Sequence, residues 1–357
     1  MMNSFLFDSK FIIDGVPMEL TPRQILGGNQ CTYPSESIVD ESLDPSVGIY
    51  DLDENRIWDY LSLIRAQTSR KLLFPFAGEY ARTRVALALL DAIWTKGHFV
   101  LEDLSLSAHW HWADKGVGSM AALYESVSSL ADYATDLYLQ IVESSINEGE
   151  PCIKVKVAVP EPERAAPDRL VDDPDSWLIY IPFDTSEYRL GGSLLSLGLG
   201  VVGGPAPKVE DTGYFGDCFE VVREFVEDGV AISGCTVGDG GLMAALDSMC
   251  RDGVGIDADI SDICRAAGDA DPVRVLFSEV PGALIQIRDA DFDYVDAELL
   301  LQDVMYFPLG HPRTVSSELK IISSRKTAIG NILEALMREV CQCRIFSVSS
   351  RSVDRKQ

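Results

Sequence analysis

The sequence has few of the residues that build metal sites and disulfide frameworks. Its 357 residues include eight cysteines and four histidines, and no Cys-X-X-Cys pair occurs. A Cys-X-X-Cys pair supplies two of the four ligands in many structural zinc sites. Disulfide frameworks belong mainly to small secreted domains. We therefore expect free, buried thiols. His109 and His111 would share one face of a strand, but without an evident third ligand a metal site there is the less favoured alternative.

Basic residues are also scarce. Lys and Arg total 30 against 56 Asp and Glu, so the formal net charge is −26 and the isoelectric point is near 4.4. Such a surface repels the phosphates of nucleic acids and the headgroups of anionic membranes. We expect neither as a partner. High solubility is the plain interpretation of this charge, and a basic partner protein is the sharper one.

Long hydrophobic runs are absent too. The longest uncharged stretch, residues 190–207, contains six glycines and two prolines. It is therefore typical of loop and turns rather than of a membrane span. The opening MMNSFLFDSK lacks the basic residues and the small-residue cleavage site of a signal peptide. The expectation is a cytoplasmic protein.

Composition shifts along the chain predict two domains with flanking segments. Residues 1–57 are rich in turn signals and predict a leader segment with one or two short strands. Residues 58–185 and 186–325 are predicted as an N-terminal and a C-terminal domain, and residues 326–357 as a helix with a tail. Helical and strand patterns alternate, with antiparallel pieces among them. This indicates an α/β or α+β fold in two layers.

Hydrophobic periodicity locates the main elements. Helical spacing predicts helices at residues 81–95, 120–142, 211–229, 240–253, 296–304 and 327–343. Alternation or short apolar runs predict strands at residues 152–159, 177–183, 230–235 and 319–323. Residues 161–176 are predicted as a polar connection. Residues 273–288 are predicted as a hairpin that turns at Pro281.

Several short motifs occur in one order over residues 80–325. They include LEDLSLSAHWHW, the GGS turn at 191–193, the DGGL turn at 239–242 and the LFSE segment at 276–279. In this order they resemble the large-type phosphoribosylformylglycinamidine (FGAM) synthases of purine biosynthesis, in the second of that family's two AIR-synthase-like halves. The resemblance implies an AIR-synthase-like (PurM-like) two-domain unit. Its N-terminal sheet would join a counterpart in a dimeric barrel, and its C-terminal domain would be α/β.

The resemblance also implies ligands and partners. In the family, ATP and formylglycinamide ribonucleotide bind between the domains, and ammonia from a glutaminase domain replaces an amide oxygen activated by phosphorylation. ATP or ADP with Mg²⁺ are thus the candidate cofactors. A lone half would expose an apolar sheet face, carried by Ile153, Val155, Val157 and the 177–183 strand. We therefore expect a homodimer, or a heterodimer with a related half.

Two glycine turns are the candidate phosphate-binding elements, because backbone N–H groups at a helix start attract anions. Their residues are Gly191, Gly192, Ser193, Asp239, Gly240 and Gly241. The favoured alternative is structural: glycine permits close backbone approach, and Asp239 would cap the helix that follows.

The positions where the resemblance places catalytic groups carry other residues. Cys235 and Thr236 stand at the usual histidine and aspartate positions, and Gly238 stands at a serine position. Leu87 and Asp91 replace the Glu and Asn that help hold metal and phosphate. His109 replaces an asparagine, Leu197 replaces a glutamine, and Glu143 and Ser144 fall in place of a Gly-Lys-Asp-Ser segment.

These replacements predict a loss of phosphoryl-transfer chemistry. Leucine cannot ligate Mg²⁺, and a glutamate at the lysine position repels phosphate. Cys235 is not expected to act as a nucleophile, because no histidine base lies near it in the sequence. The favoured hypothesis is a catalytically degenerate homologue that acts as a binding or regulatory module. An active subunit completed by a partner chain with a glutaminase, and a structural interaction protein, are the alternatives.

Overall fold

The computed structural model describes residues 4–29, 52–67, 72–113, 118–185, 187–201, 204–268 and 270–323. The helix predicted at 327–343 lies outside these ranges. No helix within the described ranges has both the length and the hydropathy of a membrane span.

The first described segment packs onto the rest of the chain. It contains α1 (Ser4–Asp8), the antiparallel pair β1 (Ile12–Ile13) and β2 (Val16–Pro17), and α2 (Pro22–Leu26). Thr21 begins α2 with a capping box, in which its side chain and that of Gln24 each bond the other's backbone N–H. The Phe7 ring meets the Trp110 ring edge-on, with centroids 5.4 Å apart. The predicted short strands are present, and two short helices accompany them.

Two long helices cover a three-stranded sheet. The elements are α3 (Ile57–Arg65), α4 (Ala77–Ile93), β3 (Thr95–Lys96), β4 (Ser105–His111), α5 (Ser119–Asp136), β5 (Gln140–Asn147), β6 (Cys152–Ala158) and β7 (Glu161–Arg164). The sheet order is β5-β4-β6, with β4 parallel to β5 and antiparallel to β6. Strand β3 pairs with β7. The predicted polar connection at 161–176 therefore begins with a short strand.

One face of the β5-β4-β6 sheet is buried and the other is polar. Leu106, Ala108 and Trp110 alternate toward the helices, and Trp110 Nε1 donates to Ser126 Oγ on α5 at 3.0 Å. On β6, Ile153 is buried, and Val155 and Val157 pack against the same core. The prediction that these three β6 side chains form an exposed apolar face is wrong, because α4 packs on them. The opposite face carries Ser105, Ser107, His109, His111, Lys154 and Lys156.

The remaining chain forms two further sheets with helices around them. The elements are β8 (Trp177–Pro182), α6 (Leu194–Leu199), α7 (Thr212–Glu227), β9 (Ala231–Val237), α8 (Gly241–Met249), β10 (Val254–Asp259), α9 (Ser261–Ala266), α10 (Pro272–Phe277), β11 (Gly282–Ile287), α11 (Phe292–Leu301), β12 (Phe307–Gly310), β13 (Pro312–Arg313) and β14 (Ser316–Ile322). An antiparallel sheet has the order β12-β8-β11-β9, and a smaller mixed sheet has the order β13-β10-β14.

The four-stranded sheet is buried on both faces. Ile179, Ile181 and Ile285 belong to the core that includes α4 and α7, and Tyr180 and Leu284 belong to a second core that includes α8. The expectation that the 177–183 strand lies on an exposed face is therefore wrong. Because β8 shares a sheet with β9 and β11, sheet membership favours a boundary before residue 177. The division at residues 57, 185 and 325 stays a prediction.

Two predicted elements differ from the structure. The helix predicted at 120–142 ends at Asp136, because Tyr138 takes a left-handed φ of 59° and the chain from residue 140 pairs with β4. The hairpin predicted at 273–288 begins instead as helix α10. Its start carries Pro272 and the Asp271 cap, whose side chain accepts from the Val273 N–H at 2.8 Å.

Candidate functional site

The two glycine turns lie near each other, beside the first half of α4. A narrow cleft with a cavity volume of about 20 Å³ separates α4 from the turn at Gly191 and Gly192. Its lining consists of Leu73, Phe76, Glu79, Tyr80, Thr83, Gly191, Gly192, Ala206, Pro207 and Glu279. The β9–α8 turn, which carries Asp239 and Gly240, is tied to this cleft through Glu279.

Glu279 joins the two turns through one carboxylate oxygen. This buried side chain accepts a hydrogen bond from the Gly240 N–H and another from the Leu194 N–H, each at 2.9 Å into Oε1. Leu194 is the first residue of α6, and Gly240 precedes α8. A protein carboxylate therefore already engages backbone donors that an incoming phosphate would need at these helix starts.

Close backbone packing requires glycine in both turns. A Cβ on Gly191 would lie 2.3 Å from the Gly204 carbonyl oxygen, and one on Gly241 would lie 2.6 Å from the Leu276 carbonyl oxygen. Gly241 also has a left-handed φ of 70°. These glycines would be needed to build the fold whatever the turns bind.

Leu87 packs directly against Gly238. A Cβ on Gly238 would lie 2.8 Å from Leu87 Cδ2, which is closer than carbon atoms pack. Leu87 is 9% exposed. The resemblance places a metal-holding carboxylate and a serine at these two positions, and the structure brings the positions together as an apolar contact.

Thr236 and Asp91 form a hydrogen-bonded pair beside this contact. The Thr236 hydroxyl donates to Asp91 Oδ1 at 2.7 Å and accepts from Trp94 Nε1 at 2.9 Å. Desolvation by the surrounding protein raises the pKa of the Asp91 carboxyl, although the residue as a whole is exposed. The hydrogen bond from Thr236 opposes that rise. Asp91 and Thr236, two positions to which the resemblance assigns site residues, are therefore neighbours. Their side chains are hydrogen-bonded to each other.

Asp239 forms a two-pronged ion pair with Arg84 of α4. Arg84 Nη1 donates to Asp239 Oδ2 at 3.0 Å, and Nη2 donates to the other carboxylate oxygen. The Arg84 guanidinium also lies over the Tyr80 ring, 5.0 Å from its centroid. Helix α8 starts from Gly240, at a φ of 83°, and has no side-chain cap. The predicted cap by Asp239 is wrong, because its carboxylate turns to Arg84 instead.

Cys235 lies on the opposite side of β9 from Thr236. Its side chain belongs to the core around α8, and burial raises the pKa of its thiol to about 12. The thiol is therefore neutral at physiological pH, which does not suit a nucleophile.

His109, Glu143 and Ser144 lie apart from the glycine turns, in the β5-β4-β6 sheet. His109 is on the polar face, where its Nδ1 is 2.8 Å from Ser145 Oγ. Helix α4, which carries Leu87 and Asp91, packs on the other face. The structure therefore places the sheet between His109 and the Leu87 group.

Comparisons with known proteins agree with this architecture. No family model matches the sequence. The chain is 27% identical over 257 residues to a probable phosphoribosylformylglycinamidine synthase of Arabidopsis thaliana, covering 68% of this chain and 18% of that protein. It is 23% identical over 287 residues to the human phosphoribosylformylglycinamidine synthase, covering 76% of this chain and 20% of that protein.

Solved structures show the same fold. PurL of Thermotoga maritima in complex with FGAR superposes with a TM-score of 0.52 at 15% identity, over 70% of this chain and 42% of that one. PurLQS from the same organism gives 0.51 at 14% identity, over 71% and 41%. The fold is AIR-synthase-like. This confirms the fold class and the resemblance to FGAM synthase, and the chain spans about a fifth of the length of the curated relatives it matches.

Two site residues of this AIR-synthase-like fold were missed from the sequence. Glu279 lies within the LFSE segment, but its role depends on two distant turns. Glu79 lines the cleft, and its Oε2 is buried with no hydrogen-bond partner among the described residues. Burial and the nearby Glu79 carboxylate raise the pKa of Glu125, on α5, to about 7, while Arg82 opposes the rise. The two glutamates lie on different helices, so no local spacing indicates the pair.

The residues present in this AIR-synthase-like site do not fit a magnesium–nucleotide group. Leu87 offers no oxygen, Asp91 is bound by Thr236, and Asp239 is bound by Arg84. Mg²⁺ requires oxygen ligands in near-octahedral geometry. Within the described ranges, no group of three His, Cys, Asp or Glu side chains is arranged to hold a metal ion.

Proposed function

We propose that this chain is a catalytically degenerate relative of FGAM synthase that acts as a binding or regulatory module. It keeps the AIR-synthase-like fold and does not form an amidine from ATP, ammonia and formylglycinamide ribonucleotide. The turns at residues 191–193 and 239–241 serve mainly as scaffold.

The contact between Leu87 and Gly238 carries this proposal. Phosphoryl transfer depends on positioning and on neutralising the charge of the phosphates. An apolar side chain at the metal-holding position supplies neither. Because a side chain at position 238 would collide with Leu87, the two replacements fit each other. Restoring one functional group alone would therefore not rebuild the site.

The hydrogen bonds to Glu279 support the same conclusion. They engage the N–H groups of Gly240 and Leu194 with a buried carboxylate. A phosphate would have to displace this carboxylate, and a nearby negative charge disfavours its arrival.

The deciding experiment is calorimetry of the purified protein with Mg-ATP and with Mg-ADP, at several salt concentrations. We expect no binding at millimolar nucleotide, and no FGAM when formylglycinamide ribonucleotide and ammonia are added. A Leu87→Glu, Gly238→Ser double variant serves as the comparison in which both groups are restored. Micromolar binding together with FGAM formation by the unchanged protein would overturn the proposal.

A second candidate is an active subunit completed by a partner chain. The identities of 27% and 23% to phosphoribosylformylglycinamidine synthases favour it. The partner would be a second copy of this chain or a related half. Mixing the protein with a first-half chain and a glutaminase tests this, because FGAM formation in the mixture alone would support completion. Inactivity of a mixture that forms a stable complex would count against it.

A further inference from the structure

Helix α11 carries apolar side chains on two sides. Val295 and Leu299 are fully buried and belong to the core that includes α7. On the outer side, Tyr294 is 40% exposed, Leu300 is 65% exposed and Leu301 is 76% exposed. One buried stripe is enough to hold an amphipathic helix on a domain. The outer side chains are therefore not needed for the fold, and adjacent exposed apolar residues are typical of a binding surface.

The outer apolar side chains have the spacing of a helix–helix contact. Tyr294, Ala297 and Leu301 are related as i, i+3 and i+7, and Leu300 follows Ala297 by one turn. A second helix packs along such a row, which here spans about 10 Å. At the start of the row the Tyr294 ring meets the buried Phe225 ring of α7 edge-on, with centroids 6.1 Å apart.

Five carboxylates around this apolar row form no ion pair within the described ranges. They are Asp293, Glu298 and Asp303 at α11, and Glu224 and Asp228 at the end of α7. Residues 289–310 contain six Asp and Glu and no Lys or Arg. Arg288, just before this stretch, pairs with Asp291 at 3.5 Å. The surface therefore combines exposed apolar groups with an excess of negative charge.

The position of these carboxylates is unfavourable for the protein alone. Glu224 and Asp228 are four residues apart at the C-terminal end of α7, where like charges repel and the helix dipole disfavours anions. Glu298 lies in the second half of α11. Desolvation raises the pKa of the Tyr294 hydroxyl, and the carboxylates of Glu224, Glu298 and Asp228 raise it further. Cations brought to this surface by a partner would relieve the repulsion.

We propose that α11 is the docking surface for a basic amphipathic helix of a partner protein. The apolar side of that helix would cover Tyr294, Leu300 and Leu301, and its Lys and Arg side chains would meet the five carboxylates. A second copy of this chain fits poorly, because two-fold pairing of this surface sets carboxylates against carboxylates. None of the residues that line the cleft beside the glycine turns lies on α11, so the proposal does not depend on what that cleft binds.

Fluorescence anisotropy with a labelled synthetic helix and the full chain tests the proposal. The probe is an alanine-based peptide with leucines at the spacing i, i+3, i+7 and lysines beside them. One control peptide has glutamine in place of leucine, and the other has glutamate in place of lysine. We expect only the leucine–lysine peptide to bind, and to bind less tightly as salt is added.

Two pairs of substitutions locate the binding. Leu300→Ser with Leu301→Ser removes the exposed apolar groups, and Glu224→Gln with Glu298→Gln removes two of the carboxylates. We expect the peptide to bind about tenfold or more weakly to each of these variants. Because Val295 and Leu299 still hold α11, both variants should keep the circular dichroism spectrum of the unchanged protein.

Matched controls change the same residue types elsewhere. Ile12→Ser with Val315→Ser replaces apolar side chains that are 73% and 93% exposed. Glu148→Gln with Glu161→Gln neutralises two exposed glutamates. Binding to both control variants should stay within about twofold of binding to the unchanged protein.

Three results of the peptide assay would overturn the proposal: no binding of the leucine–lysine peptide, equal binding to all variants, or equally tight binding of the peptide without leucine. Sedimentation adds a fourth. A dimer that becomes a monomer in the Leu300→Ser, Leu301→Ser variant would assign the surface to a second copy. Binding of the unchanged protein, but not of this variant, to phosphatidylcholine vesicles would assign it to a membrane instead.

Discussion

The Glu279 carboxylate and the Gly240 N–H are joined by a hydrogen bond of 2.9 Å inside the protein, and the same oxygen holds the N–H of Leu194. The two turns that the sequence suggests as a phosphate cradle are thus bound to one internal anion. This bond makes Glu279 a structural centre of the site, and its removal has a measurable cost.

Glu279→Ala should destabilise the protein by about 2 to 3 kcal/mol, because it leaves the buried Gly240 N–H and the partly buried Leu194 N–H without an acceptor. Glu279→Gln keeps a carbonyl oxygen at the same place, so we expect a loss of about 1 kcal/mol or less. Urea unfolding followed by circular dichroism measures both. Equal losses for the two variants would show that the acceptor oxygen is not what matters.

Gly238→Ser should destabilise the protein by about 1 kcal/mol, because the new side chain meets Leu87 Cδ2, which is the end of a flexible side chain and can turn aside. Combining it with Leu87→Ala should cost about 0.5 kcal/mol less than the sum of the single changes, since the smaller residue removes the collision. Gly213→Ser is the control, because a Cβ there has only ordinary contacts. Strict additivity in thermal or urea unfolding would contradict the contact.

The raised pKa of Glu125 predicts that the protein becomes less stable to unfolding as the pH rises. Its pKa is raised to about 7 in the folded protein from 4.5, so the folded state binds more protons than the unfolded state between these values. The contribution is fully present below pH 4.5 and is lost as the pH rises through 7. We expect Glu125→Gln to remove roughly 2 to 3 kcal/mol of this dependence.

Unfolding curves from pH 4.5 to 8 test the Glu125 prediction, with Glu148→Gln, an exposed glutamate, as control. Above pH 7 the Glu125→Gln protein should be more stable than the unchanged protein. Parallel pH profiles for the unchanged and Glu125→Gln proteins would show that the carboxyl is ionised without penalty.

Cys235 should resist alkylation until the protein unfolds. Burial raises the pKa of its thiol to about 12, and the thiolate is the reactive species. Iodoacetamide at pH 8, followed by peptide mass spectrometry with and without urea, compares it with Cys152, which is partly exposed. Labelling of Cys235 in the native state as fast as that of Cys152 would contradict its place in the core and would reopen a nucleophilic role.

The local hydrophobic pattern predicted a helix or strand correctly where the packing around that element agrees with the pattern. Helix α4 is buried nearly all round, as its apolar sequence indicates, and β6 alternates as its lysines and valines predict. Patterns failed where a distant partner decides the structure. Residues 140–147 continue a helical spacing, yet they form β5 because β4 lies beside them. In α10, the Asp271 cap and Pro272 are local signals, and the alternation of Val273 and Val275 hid them.

The sequence indicated which positions to compare with the family's site, but it did not indicate which side chains contact one another there. The resemblance to FGAM synthase singled out Leu87, Asp91, Thr236 and Gly238, and the structure places Leu87 against Gly238 and Asp91 against Thr236. The bond of Glu279 to residues 39 and 85 positions away could not be inferred, because no local spacing relates them. The turn of Asp239 toward Arg84 depends likewise on how α4 packs.

The polar face of the β5-β4-β6 sheet has a consequence for any assembly built on it. Serine, histidine and lysine side chains gain little by leaving water, so a partner seated there must replace each lost water contact with a matched polar one. Such an interface contains water, is sensitive to salt, and can dissociate without exposing an apolar surface. A protein that meets its partners in this way can exchange one for another while each copy remains folded.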